Sequence, residues 1–180
     1  MNARDSDLGY ALLALLQQAP RSGYDLRKLF ETNPIGHFSD SPGAIYPALG
    51  RLRRRGWIEP LSGGAPSGRR RQALRPTALG RRAFRAWLQL PVEHKDVAHG
   101  LDGLVLRFAF MSENLERRAI VRFLDSLREA VRAHLGNLER FRRVEAARLP
   151  PSGRLAFDSG VAGLRGYLRW AERALREIKR

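Results

Sequence analysis

The sequence predicts a mainly α-helical protein with one small β-hairpin, divided into two domains. Apolar residues recur at intervals of three and four along most of the chain, which is the spacing of helices with one buried face. Only residues 57–74 carry two short β-prone segments around a glycine-rich turn. A polar joint at residues 90–96 separates the halves. We therefore expect domains at residues 1–90 and 91–180.

Two helices are predicted at the N-terminal end. A leucine-rich face indicates a helix over residues 5–18, which Pro20 ends. Ser22 is the expected N-cap of the second helix, and Asp25, three residues later, completes a capping-box pattern. The residues expected on the buried side of the second helix are Tyr24, Leu26, Leu29 and Phe30.

Residues 41–55 predict a third helix with two different faces. Ser41 can cap it, and Pro42 suits the first helical position because a proline gives up no hydrogen bond there. The expected buried face consists of Ile45, Leu49 and Leu52. The opposite face, small and polar at first and cationic at its end, consists of Ala44, Tyr46, Pro47, Gly50, Arg51 and Arg54. Pro47 breaks a rule, because an interior proline costs a helix about 3 kcal/mol.

Three short helices in this order, the third basic on its outer face, predict a helix-turn-helix. Segments 57–61 and 69–74 are the expected strands of a β-hairpin, or wing, and Thr77 begins a fourth helix. The expected inner side of that helix is Leu79, Phe84, Trp87 and Leu88. From Arg51 to Arg82 the chain carries ten arginines and one acidic residue. A charge run is usually a solvated face, but this one covers the third helix and the wing, so we expect phosphate contacts.

The second half of the chain predicts helices only. One element runs from about Val97 to Met111, and Ser112 opens a longer helix that reaches residue 147. Residues 150–153 break the chain, and the last helix carries a heptad seam. Two seams of this length have too few partners in one chain, so we expect a homodimer. The residues predicted at its interface are Leu101, Leu104, Phe108, Leu124, Leu127, Val131, Leu164, Leu168 and Leu175.

The composition favours a nucleic-acid partner. The chain has 33 basic and 18 acidic residues, a formal net charge of +15, and nearly all of its basic residues are arginine. Arginine offers a planar fork to phosphates and guanines, although a G- and C-rich genome would also raise the arginine content. The absence of cysteine excludes disulfides, thiol catalysis and cysteine-based metal sites. No stretch approaches the ~18 apolar residues that cross a bilayer, so we expect a cytoplasmic protein.

Several motifs in the first half resemble those of the PadR family of transcriptional regulators. They are Gly23-Tyr-Asp-Leu26, Ser41-Pro-Gly-Ala-Ile-Tyr-Pro-Ala-Leu49, Arg51-Leu52, Gly56-Trp-Ile-Glu59 and Thr77-Ala-Leu-Gly80, in family order across residues 8–90. The second half is similar to the family's helical dimerisation domain by pattern only. In the wing, Leu74 stands where an aromatic is usual and Pro76 replaces an apolar residue, which leaves the length of the second strand open.

The resemblance implies a winged helix-turn-helix repressor that binds a pseudo-palindromic operator as a homodimer. The residues expected to contact DNA are Ser22, Tyr24, Ser41, Pro42, Ala44, Tyr46, Pro47, Arg51, Arg54, Arg69, Arg70 and Arg71. Tyr46 has a competing role as a packing residue. The resemblance also implies a small aromatic or amphipathic effector. The large aromatics expected near it are Trp87, Phe108, Phe110 and Trp170, and ordinary core packing is the alternative for all of them.

Two other functions are consistent with the sequence. One is a winged-helix module for protein assembly whose basic surface binds DNA without regard to sequence. The other is a small-molecule-binding protein with vestigial DNA contact. No serine, histidine and acid arrangement can be singled out, the four histidines are scattered along the chain, and no cofactor or metal site is predicted. An enzyme is therefore not expected.

Overall fold

The structure is a computed structural model that describes residues 3–32, 42–61, 72–145 and 148–180. It confirms a mainly helical fold with one small antiparallel sheet. Backbone contacts group the chain into two compact units: unit 1 is Met1–Leu88 with Val105–Phe110, and unit 2 is Gln89–Leu104 with Met111–Arg180. Within the described ranges, no helix is both long enough and apolar enough to cross a membrane. A functional boundary at residue 90 stays a prediction.

Apart from Val105–Phe110, the described part of unit 1 contains four α-helices and the two strands of the wing. In chain order these are α1 (Ala3–Gln18), α2 (Gly23–Thr32), a 3-10 turn (Pro42–Ala44), α3 (Ile45–Arg54), β1 (Ile58–Pro60), β2 (Leu74–Pro76) and α4 (Ala78–Gln89). The side chains that are almost wholly buried in this unit include Leu12, Leu13, Leu16, Leu26, Ile45, Phe84 and Leu88. Each helix thus contributes to one apolar core, as the three- and four-residue spacing predicts.

The second wing strand lies later in the chain than predicted. We expected it over residues 69–74, but β2 pairs Leu74 with Pro60 and Pro76 with Ile58. Pro76 is tolerated because the next amide supplies the bond that a proline cannot donate: Thr77 N donates to the Trp57 carbonyl at 2.9 Å. The sheet is extended on its other side by Arg21, whose backbone exchanges two hydrogen bonds with Leu74.

The end of α3 is closed by a glycine in the left-handed region. Gly56 has a φ of +66°, its amide donates to the Arg53 carbonyl, and the next amide, of Trp57, donates to the Leu52 carbonyl, both at 2.9 Å. This pair of bonds is a Schellman motif, which satisfies the last carbonyls of the helix. The Thr77 hydroxyl then donates to the Gly56 carbonyl at 2.6 Å. The turn after α3 is therefore fastened to the start of α4.

The first turn of α4 packs on the backbone of the wing at Gly80. The Gly80 amide donates to Thr77 Oγ1 at 3.0 Å, and a Cβ built on Gly80 would lie 2.0 Å from the Trp57 carbonyl oxygen. Only glycine fits at such a distance. Leu79, which we expected on the inner side of α4, is instead 46% exposed. Successive residues of a helix point in different directions, so Leu79 points outward when Gly80 faces the wing.

Unit 2 is built on two long helices. The elements of the second half are α5 (His94–His99), α6 (Asp102–Ala109), α7 (Arg117–Val144) and α8 (Pro151–Lys179). The single element predicted between Val97 and Met111 is wrong, because Gly100, with a φ of +126°, interrupts it between α5 and α6. The long helix that we expected to open at Ser112 begins at Arg117, after a turn.

Helices α7 and α8 are each other's main partner. Ion pairs join them at Arg132 to Glu172 (2.6 Å), Arg142 to Asp158 (2.7 Å) and Arg165 to Glu139 (3.3 Å). The pairing order shows that the two helices are antiparallel. The two helices also carry buried apolar side chains, namely Ile120, Phe123, Leu124, Leu127, Val131 and Leu135 of α7 and Val161, Ala171, Ala174 and Leu175 of α8. The argument that these seams lack partners within one chain is therefore wrong.

We predict that Gly80→Ala destabilises the protein by at least about 2 kcal/mol, because the added methyl overlaps a backbone oxygen that cannot move without breaking the wing. Gly136→Ala is the matched control, because a Cβ at this α7 position meets nothing within 4 Å. It should stabilise the helix by up to about 1 kcal/mol. Urea unfolding of both variants checks the prediction, and equal stabilities would contradict the Gly80 contact.

Candidate nucleic-acid interface

Helix α3 has one fully buried face and one exposed face. Its buried residues are Ile45, Ala48, Leu49 and Leu52, each no more than 6% exposed. The inner face thus matches the predicted spacing and adds Ala48. Tyr46, Pro47, Arg53 and Arg54 are exposed, while Gly50 and Arg51 are half-buried. Since the core uses only one side of the helix, the other side is available to a ligand of unit 1.

The start of α3 differs from the prediction in a way that explains its proline. The segment Pro42–Ala44 forms a 3-10 turn, and the α-helix begins at Ile45 with Ala44 as its N-cap and no side-chain cap. Pro47 is then the third residue of α3, within the first turn, where amides have no partner inside the helix. The cost expected for an interior proline therefore does not apply.

Tyr46 lies against the start of α2 and still exposes about half of its surface. It is 53% exposed, and a Cβ on Gly23 would approach its Cε1 to 2.9 Å and the Leu49 Cδ1 to 3.2 Å. The missing side chain of Gly23 therefore makes room for one edge of the ring. Packing and ligand contact are not exclusive here, because the packed edge orients the ring while the rest of it faces outward.

The last turn of α3 and the residue after it present four arginines: Arg51, Arg53, Arg54 and Arg55. Cations at a helix C-terminus are stabilised by the helix dipole. The Arg55 guanidinium lies 5.1 Å from the centre of the Trp57 ring, within the range of a cation–π contact. The sequence reasoning missed Arg53 and Arg55. The available signal was Gly56, because a glycine often ends a helix and thus places Arg53 and Arg55 in its last turn and cap, where both are exposed.

The two candidates on α2 have different surroundings. Ser22 is only 3% exposed, and its hydroxyl lies 2.6 Å from Asp25 Oδ2 and accepts the Asp25 amide at 3.2 Å. The Ser22 amide donates to the same carboxylate at 3.1 Å, so the predicted capping box is present. Ser22 is thereby placed in a cap. Tyr24, which we expected on the buried side of α2, is 36% exposed, with the Arg27 guanidinium 5.7 Å from its ring centre.

Several predicted contacts cannot be placed. Ser41 and the wing arginines Arg69, Arg70 and Arg71 lie outside the described residues. Pro42 is described only as the first residue of the 3-10 turn, and Ala44 is half-buried as the N-cap of α3. The placed part of the candidate interface therefore consists of the exposed face of α3, the beginning of α2 and the turn that follows α3.

Comparison with known proteins identifies the region that contains this interface. Residues 12–86 match the model of the transcriptional regulator PadR-like family. The match covers α2, α3, the wing, the last seven residues of α1 and most of α4. The chain matches no curated protein significantly.

Solved structures of PadR-like regulators resemble the whole chain at low identity. The PadR-like transcriptional regulator BC1756 from Bacillus cereus is 23% identical, with 95% of this chain and 98% of that one covered and a TM-score of 0.41. Bacillus subtilis PadR with operator DNA is 24% identical, with 95% and 98% covered and a TM-score of 0.42. Bacillus subtilis PadR with p-coumaric acid is 23% identical, with 97% and 99% covered and a TM-score of 0.42.

An aromatic cluster lies in unit 1, which also carries the candidate interface. Tyr10 stacks on Trp87 with ring centres 4.4 Å apart and lies 5.9 Å from Trp57, while Phe84 contacts both Trp87 and Phe110. Burial raises the pKa of the Tyr10 phenol, against the opposing effect of Arg55. Two of the four effector candidates, Trp87 and Phe110, are therefore core residues of unit 1. Phe108 and Trp170 are half-buried, and their effector role stays a prediction.

Most of the residues predicted at a dimer interface are buried within one chain. Leu101, Leu104, Leu124, Leu127, Val131 and Leu175 are each no more than 7% exposed. The remaining three, Phe108, Leu164 and Leu168, are half-buried and keep part of their surface. The first six have no surface to offer a second chain in this arrangement, and dimerisation through the others stays a prediction.

The capping role of Ser22 leads to a stability prediction. Ser22→Ala removes the acceptor of the Asp25 amide and should lower the free energy of unfolding by about 1 kcal/mol. Ser159→Ala, at an exposed position of α8, should change it by less than about 0.5 kcal/mol. Chemical denaturation compares the two. If Ser22→Ala weakens DNA binding without any loss of stability, the serine contacts DNA and does not act as a cap.

Proposed function

We propose that the protein is a sequence-specific transcriptional regulator that inserts α3 into the major groove of double-stranded DNA. The PadR-like domain supports a regulatory function. The observation that carries the proposal is the division of α3 into an apolar face that is buried and a face that presents one aromatic ring followed by several arginines. A helix of this kind is what the major groove admits, with base edges read near its N-terminus.

The exposed face of α3 supports a division of roles along the helix. Tyr46 comes first, beside small residues that let the helix approach base edges closely, and Arg51 follows one and a half turns later. We assign these two side chains to base contacts. Arg53, Arg54 and Arg55 close the helix where its axis would leave the groove, so we assign them to phosphates, together with the wing arginines Arg69, Arg70 and Arg71.

The proposal includes a homodimer. The ten residues of α3 extend about 15 Å, which spans only a few base pairs of one half-site. Two copies on a pseudo-palindromic operator double the readout, with their α3 helices about 34 Å apart. In this arrangement, residues 1–90 bind DNA and residues 91–180 pair the chains, so that occupancy of a promoter represses it. A small aromatic or amphipathic effector that shifts the pairing would release the DNA, and the protein would have no catalytic role.

The main alternative is an assembly module whose basic surface binds nucleic acid without regard to sequence. A competition assay separates the two functions. Fluorescently labelled DNA from upstream of the protein's own gene is bound at fixed salt and displaced with either unlabelled upstream DNA or random DNA. A sequence-specific regulator should bind its operator about 10³-fold or more tightly than random DNA. A ratio near one supports the assembly module.

Specific binding should depend on Tyr46 and Arg51. Tyr46→Ala and Arg51→Ala should each weaken operator binding by about 1–3 kcal/mol, because each removes a contact to a base edge. Arg118→Ala is the control, since Arg118 is an exposed arginine on α7, in the other unit. Fluorescence anisotropy on operator and random DNA provides the measurement. Unchanged operator affinity in a folded double variant would reject the assignment of α3.

Phosphate contacts should show a different signature. Arg53→Gln with Arg54→Gln should weaken binding on operator and random DNA alike and should reduce the slope of log K against log salt by about 0.9 for each lost contact. The wing variant with Arg69, Arg70 and Arg71 all replaced by Gln should behave in the same way. A change in sequence preference with an unchanged salt slope would instead show that the replaced arginines read bases.

A further inference from the structure

Two histidines that are far apart in the sequence meet on the surface of unit 2. His94 is the first residue of α5, His134 lies in the middle of α7, and α5 packs on α7. The Nε2 of His94 and the Nδ1 of His134 are 3.2 Å apart, and the ring centres are 5.0 Å apart. Forty residues separate the two positions. The spacing of histidines along the chain therefore could not indicate the pair.

Hydrogen bonds around the pair fix which atom of His94 faces the gap. Arg140 donates from Nη2 to Asn137 Oδ1, so the amide nitrogen of Asn137 is the group that points to His94, at 3.1 Å from Nε2. An amide nitrogen can only donate. The Nε2 of His94 is therefore the acceptor, and its lone pair faces the space between Asn137 and His134.

The two tautomers of His134 give different contacts. If His134 Nδ1 carries its proton, it shares the single lone pair of His94 Nε2 with the Asn137 amide, and if it does not, two lone pairs face each other across 3.2 Å. Two imidazole nitrogens that face each other at this distance can act as ligands of one cation.

We propose that His94 Nε2 and His134 Nδ1 chelate one divalent transition-metal ion of the class that prefers imidazole, such as Ni²⁺, Cu²⁺ or Zn²⁺. Metal–nitrogen bonds of about 2.0–2.1 Å place two ligand nitrogens about 2.9 Å apart at a right angle and about 3.3 Å apart at a tetrahedral angle. The observed separation of 3.2 Å lies between these values. The two nitrogens thus already stand at the distance that one ion requires, and an ion bound there would displace the Asn137 amide from the lone pair of His94 Nε2.

The remaining positions around the ion would be filled by water. Among the described residues, no group of three or more His, Cys, Asp or Glu side chains could hold a metal. The guanidinium of Arg140 lies beyond Asn137, and its positive charge opposes a second cation. Both features predict an exchangeable ion bound less tightly than in a four-ligand structural site. Once bound, it would fasten the six-residue helix α5 to α7 and stabilise unit 2.

Isothermal titration of tag-free, full-length protein with Ni²⁺ tests the site. The wild type should bind one Ni²⁺ per chain, and His94→Asn and His134→Asn should each lower the affinity by at least about tenfold. His37→Asn is the matched control, because it removes one histidine outside the pair. Circular dichroism establishes that each variant is folded. Absence of stoichiometric binding by the wild type, or equal losses in all three variants, overturns the proposal.

The histidine variants also remove side-chain contacts, so a second test uses a variant that should bind the ion more tightly. Asn137→Asp places a carboxylate beside His94 Nε2 and should supply a third ligand, tightening Ni²⁺ binding by about tenfold or more. Ni²⁺ should also raise the melting temperature of the wild type and of Asn137→Asp, but not that of His94→Asn or His134→Asn. An affinity in Asn137→Asp no higher than in the wild type contradicts the placement of the ion.

Discussion

The contact between Gly80 and the Trp57 carbonyl is the constraint on which the rest of unit 1 depends. A single added methyl would lie 2.0 Å from that oxygen, so α4 and the wing approach as closely as two backbones can. Thr77 ties the same point to the carbonyl of Gly56, the residue that ends α3. The last turn of α3, the first wing strand and the first turn of α4 therefore meet at one junction. Because backbone atoms make this junction, the outer face of α3 has a fixed orientation relative to the sheet.

The residues that anchor α3 differ from those that we propose to bind DNA. Four buried apolar side chains anchor the helix, while its arginines are half-buried or exposed. Interactions between exposed charges contribute little to stability in water, so Arg51, Arg53, Arg54 and Arg55 can be basic while Leu52 among them is buried. Tyr46 combines both roles, because Gly23 has no side chain and one edge of the Tyr46 ring packs there while the rest of the ring stays exposed. Fold and interface can then vary independently.

The sequence was sufficient wherever a feature depends on local spacing. The buried face of α3 and the Ser22–Asp25 capping box both follow from patterns a few residues long. It was insufficient where a distant contact decides the outcome. Leu79 faces outward because Gly80 must face Trp57, and Tyr24 and Leu79 look apolar enough for a core in any local window. The meeting of His94 with His134 depends on helix packing, which no spacing along the chain records.

The antiparallel pairing of α7 and α8 changes what a dimer of this protein must use. An apolar seam can be buried only once, and six of the nine residues predicted for the interface are already enclosed by their own chain. Among the candidates on α8, Leu164 and Leu168 keep part of their surface, and they lie between the ion pairs at Asp158 and Glu172. A partner that covers them would meet a narrow apolar strip bordered by paired charges. Charges at the border of an interface fix the relative alignment of two chains more than they add affinity. In a dimer of this kind, the leucines would therefore supply the binding energy, and the ion pairs would align the chains.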